Sequence, residues 1–98
     1  MEKLSSQDRI FEIARLLSES HVLGLTNKEL MISIGAGEAS ISRDMAVFKK
    51  HGWAIQANGS RWRLSPAFGG IAGRIMRSYQ EAKLRLTEEE AKYASEMQ

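Results

Sequence analysis

The sequence predicts a mostly helical fold that carries one small β-hairpin. Three observations lead there. Apolar residues recur at helical spacing in four separate stretches. A glycine-rich turn, Gly35-Ala36-Gly37, divides a short helical stretch from a longer one. Two short segments with period-two alternation flank Asn58-Gly59, the strongest short hairpin signal. Ninety-eight residues allow one domain and a tail, and a 43% hydrophobic fraction argues against disorder.

Ser5 or Ser6 caps a first helix whose apolar residues fall at Ile10, Ile13, Ala14 and Leu17, with Phe11 widening the stripe. The pattern loosens over Ser18 to His21, and Gly24 ends the connection. Thr26-x-x-Glu29 is a capping box, and Leu25 and Leu30 stand where a hydrophobic staple needs them. This second helix buries Leu30 and Ile34 and stops at Gly35.

A third helix spans about Glu38 to His51. Ile41, Met45 and Phe48 mark its core side. At 100° per residue the opposite side carries Ala39, Arg43, Ala46 and Lys50, flanked by Ser40, Ser42 and Val47. Gly52 is a natural stop. Trp53 to Ala57 and Arg61 to Leu64 then form the hairpin, with Trp62 and Leu64 on one face and Arg61 and Arg63 on the other. Both tryptophans are assigned to the core.

Ser65 caps a fourth helix with Pro66 at its first position. Phe68, Ile71, Ile75, Tyr79, Ala82 and Leu86 form its stripe. Gly69, Gly70 and Gly73 cost roughly 1 kcal/mol each relative to Ala, and serve either close helix approach or a hinge. Thr87-x-x-Glu90 reads as another capping box, so a break is expected near Leu86-Thr87 with a short helix from Glu88 to about Met97.

Helix, glycine turn, helix and tight hairpin, in that order, make a winged helix-turn-helix: a three-helix core plus wing over residues 5–65, with a C-terminal helical extension over residues 66–98.

Charge is uneven. Between Ser40 and Arg85 nine basic residues face two acidic ones, an excess of +7, whereas the last eleven residues carry −3. A basic middle suits a polyanion, and equally suits a solvated face with no partner. The absence of cysteine removes disulfides and thiolate metal sites. His21 and His51 are isolated, so no metal and no acid–base chemistry is expected. Ser42 and Asp44 diverge by 200° on a helix, and the glycines after Pro66 lack the Lys-Ser/Thr of a phosphate loop. No enzyme and no cofactor is expected. With no apolar leader and no span-length run, the expected location is the cytoplasm.

From about Ile10 to Gly73 the chain resembles the N-terminal DNA-binding domain of IclR-type transcriptional regulators. The phrases that carry the likeness are Gly24-Leu-Thr-Asn-Lys-Glu-Leu30, Gly35, Ile41-Ser-Arg43, His51-Gly-Trp53, Arg61-Trp-Arg-Leu64 and Ser65-Pro66, ungapped from Thr26 through Trp53. The resemblance implies a winged-helix dimer on double-stranded DNA, with Ser40, Ser42 and Arg43 on the recognition helix. It does not extend to the family's effector domain, so no small-molecule effector is expected. It departs at Glu38 and Asp44, where the family tends to carry apolar or basic residues. By analogy, a stand-alone domain of this kind suits a phage or mobile-element regulator of bacterial transcription.

The expected DNA contacts are therefore Lys28, Ala39, Ser40, Ser42, Arg43 and Lys50 from the helices and Asn58, Arg61 and Arg63 from the wing. For Arg43 the competing explanation is a surface salt bridge to a nearby acid. For Lys49 and Lys50 it is the dipole at the helix end. Ile71, Ile75, Tyr79, Ala82 and Leu86 either pair two copies as a homodimer or pack back on the first helix. The alternative function is a winged-helix protein-interaction module that does not bind DNA.

Overall fold

Ser5 opens the first helix, α1 (Ser6–Glu19), with a reciprocal cap: its hydroxyl accepts from the Asp8 amide at 3.1 Å, and the Asp8 carboxylate accepts from the Ser5 amide. This computed structural model describes residues 3–57 and 59–97. The order continues with α2 (Asn27–Ile34), α3 (Glu38–Lys50), β1 (Ala54–Ala57), β2 (Arg61–Leu64) and α4 (Pro66–Glu96). The fold is thus mostly helical, with one antiparallel hairpin in which Ala54 pairs with Leu64 and Ala57 with Arg61.

The chain divides into two compact units, one ending at Phe68 and one beginning at Gly69. The first is built around Ile13 and Leu17 of α1, Leu30 of α2, Ile41, Met45 and Phe48 of α3, and Ala54, Trp62 and Leu64 of the hairpin. Phe11 is not part of this core; it is 77% exposed, because it lies 200° around α1 from Ile13. Arg9 takes that side instead, four residues before Ile13 and buried.

The connection between α1 and α2 is held by the hairpin. Leu25 bridges Trp62 as a single antiparallel pair, with N···O distances of 3.0 and 2.7 Å. That approach needs Gly24, which has φ of +83°, and a Cβ there would sit 2.6 Å from the Trp62 carbonyl oxygen. The Thr26 box then starts α2: the Thr26 hydroxyl accepts from the Glu29 amide at 3.1 Å, and the Glu29 carboxylate accepts from the Thr26 amide at 3.0 Å. Trp62 is buried as expected, and its indole N–H donates to Asn27 Oδ1 at 2.8 Å.

Trp53 departs from the expected core position. It stays 37% exposed and meets Phe68 edge-on, ring centroids 4.8 Å apart. Its backbone is pinned rather than its ring: Trp53 N–H donates to Phe48 O and Ser65 N–H donates to Trp53 O. Ser65 also caps α4, accepting from the Phe68 amide at 3.2 Å.

The expected break at Leu86-Thr87 is absent. α4 runs unbroken through both residues. Thr87 does not cap anything; its hydroxyl donates to the Lys83 carbonyl at 2.9 Å, one turn back. A Thr-x-x-Glu pair within a good helix-forming run is simply two residues on one face. In the second unit no residue of α4 is buried, and Gly69, Gly70 and Gly73 face open space.

Candidate nucleic-acid interface

The turn between α2 and α3 sets the site. Gly35 takes a left-handed conformation, φ +78°, and its amide closes α2 on Met31 O at 2.8 Å. Two residues later Gly37 caps α3, accepting from the Ile41 amide at 3.1 Å. The short reversal lets α3 bury Ile41, Met45 and Phe48 while its far side stays open.

That far side carries Ala39, Ser42, Arg43, Ala46 and Lys50, all exposed; Ser40 is half-buried at its edge. Arg43, Lys49 and Lys50 have no ion-pair partner among the described residues. Lys28 is exposed in the first turn of α2. The centre of the α3 face is thus small or hydroxylic, with one long cation in its middle and two more at its C-terminal end.

Asp44 does not belong to this face. Three residues after Ile41, it points to the core side and is 5% exposed. There it binds Arg9 in two places, Nε to Oδ2 at 2.6 Å and a terminal nitrogen to Oδ1 at 3.2 Å. The pair joins α1 to α3, and the hydrogen bond from Arg9 to Asp44 raises the guanidinium pKa further above its ordinary value. The departure from the resembled family at position 44 is therefore structural, and it removes a negative charge from the outward side. The readable signal was one base and one acid, each on an otherwise apolar stripe.

The hairpin cations are less free than the helix ones. The Arg61 guanidinium donates to the Gly24 carbonyl at 2.9 Å and lies 3.0 Å from Glu29 Oε1. The Thr26 backbone hydrogen bond, then the Thr26 hydroxyl and Arg61, hold Glu29 below the ordinary carboxylate pKa. Arg63 is half-buried, and its Nε has no protein partner among the described residues. Asn58 lies outside the described residues.

On α4, Ile75, Tyr79 and Leu86 are 58%, 63% and 64% exposed, and Ile71 and Ala82 are half-buried. Elsewhere in the first unit, Ile10, Val47, Phe48, His51 and Trp53 line an apolar hollow of about 200 Å³. Among the described residues no group of three or more His, Cys, Asp or Glu could hold a metal, and no helix is long and apolar enough to cross a membrane. Comparison with protein-family models gives no matching family, and comparison with curated proteins gives no matching relative.

Proposed function

We propose that this chain is a winged helix-turn-helix protein that binds double-stranded DNA sequence-specifically, as a dimer, to regulate transcription in the cytoplasm. One observation carries the reading: the outward side of α3 is open, small and hydroxylic at its centre, and holds Arg43 and Lys50 unpaired among the described residues. A helix entering the major groove needs such a side, because bulk blocks approach and acids repel phosphate. Burial of Asp44 against Arg9 adds support, since it takes one of the two acids of α3 away from solvent; the other, Glu38, stays exposed in the first turn. The residue-level resemblance to IclR-type DNA-binding domains points the same way.

Arg43 would read a guanine edge, with Ser42 and Ser40 beside it. Lys28, Lys49, Lys50 and Arg63 would neutralise phosphates. Arg61 mainly holds the hairpin to α2 and so positions the wing. A gel-shift titration tests these roles. Arg43→Ala should flatten the preference among sequences, whereas Lys50→Ala and Arg63→Ala should weaken all sequences about equally. Equal loss on every sequence for Arg43→Ala rejects base reading by that residue.

The second reading is a protein-interaction module. The apolar hollow beside Val47 and Trp53 favours it, because both side chains are exposed at its rim. Failure of the purified chain to retain random duplex DNA at moderate salt would select it.

A further inference from the structure

Because α4 does not break, its apolar pattern extends beyond Leu86. From Ile71 it steps to Ile75, Tyr79, Ala82 and Leu86, then through Glu90 to Tyr93. The steps are four, four, three, four, four, three, an eleven-residue repeat. Eleven residues fill three turns at 3.67 per turn, so the stripe stays in line along a nearly straight helix. Every large apolar member after Ile71 is more than half exposed. The charges beside it are polarised. Residues 69–86 hold Arg74, Arg77, Lys83 and Arg85 against Glu81, an excess of +3; residues 87–98 hold Glu88, Glu89, Glu90 and Glu96 against Lys92, an excess of −3.

We infer that α4 pairs with a second copy of itself in antiparallel orientation, centred on Ala82. This deepens the dimer of the proposed function and rests on it only for the existence of pairing. Charge complementarity selects the orientation. Parallel pairing sets +3 on +3 and −3 on −3. Antiparallel pairing centred on Ala82 instead sets residues 71–77, with Arg74 and Arg77, on the second copy's residues 87–93, with Glu88, Glu89 and Glu90 against Lys92. It leaves only the central residues 78–86 on their own kind. The register follows from the stripe. Centred on Ala82, Ile71 meets the second copy's Tyr93, Ile75 meets its Glu90, Tyr79 meets its Leu86, and Ala82 meets Ala82, so every rung is filled.

The flanks agree. Arg74, Arg85 and Glu89 run along one side of the stripe and Lys83 along the other. Antiparallel pairing brings like flank to like flank. Arg74 then comes within two residues, about 3 Å along the axis, of the second copy's Glu89. Lys83 likewise comes within two residues of the second copy's Lys83, one like-charge contact at the centre, whereas parallel pairing would set Arg85 beside the second copy's Lys83 twice, once from each copy. Glu90 is the one polar rung, opposite Ile75, and weakens the pairing rather than directing it.

The chain has no cysteine, so single cysteines report orientation directly. Full-length Ile71→Cys and Tyr93→Cys variants, one carrying a mass tag, are oxidised alone and mixed, without DNA. The mixture should give a crosslinked heterodimer and neither variant alone should, while Ala82→Cys should crosslink to itself. Crosslinking of Ile71→Cys alone overturns the orientation. Crosslinking of Ala82→Cys without the mixed product overturns the register. A chain that sediments as a monomer and crosslinks nowhere overturns the pairing. In sedimentation equilibrium, Arg74→Glu should weaken the dimer about tenfold through its two flanking pairs, and adding Glu89→Arg should restore it; no rescue also overturns the register. These results stand apart from retention of random duplex DNA, so either proposal fails visibly without the other.

Discussion

Asp44 shows how one buried contact decides what a helix presents. Its carboxylate would lie on the outward side if α3 were rolled by a third of a turn; bound to Arg9, it helps fix which way α3 faces. Removing one partner leaves the other charge buried and alone, the costly case for an ion pair. Asp44→Leu should therefore lower the thermal midpoint more than Glu12→Gln, which breaks an exposed pair with Arg15. The double variant Arg9→Met, Asp44→Leu should recover most of the loss, and thermal denaturation followed by circular dichroism checks both. Helical spacing sets Asp44 on the side of Ile41, Met45 and Phe48, but no local pattern announces that Arg9, thirty-five residues earlier, meets it there. Gly24 is a second such residue. Gly24→Ala should cost about 2 kcal/mol or more, since a Cβ faces both a positive φ and the Trp62 carbonyl; urea titration measures it. The glycine itself was visible in the sequence, but its reason, the Leu25–Trp62 bridge, is a contact across thirty-seven residues.

At the scale of elements, the caps were the most legible features, because a cap is a local contact over three residues. The Thr26 box forms with the residues named from sequence, and Glu29 adds Arg61 of the hairpin to it. Glu29 has its pKa depressed in the folded chain, so the unfolded chain binds its proton first as pH falls. Its contribution is complete above the ordinary carboxylate range and is lost as pH drops through the lowered folded value. Glu12, lowered mainly by its hydrogen bond with Arg15, is lost in the same direction. Acid titration of stability should therefore be shallower in Glu29→Gln than in the parent, with the residual slope owed in part to Glu12. The same local logic misled at Thr87, where the motif is present and the cap is not. Thr87→Ala separates the two cases. Mid-helix, it should stabilise α4 by about 0.5 kcal/mol through propensity, whereas loss of a true cap would cost about 1 kcal/mol.

For the whole molecule, the helical periods and the hairpin signal fixed the order of elements, and the outward side of α3 followed from its buried one. What periodicity could not supply was the state of each cation. Arg61 and Arg63 alternate outward on a strand, yet one is tied to Gly24 and Glu29 and the other is half-buried. Within the first unit, most of the positive charge that is unpaired among the described residues therefore lies on α3 and the start of α2. The direct measurement is the binding of the full chain to random duplex DNA by fluorescence anisotropy across a salt series. With about five phosphates neutralised per protomer, log K should fall against log salt with a slope of roughly −4 to −5 per protomer, and Lys50→Ala should reduce that slope by about one. No binding at low salt, or binding indifferent to salt, would contradict it.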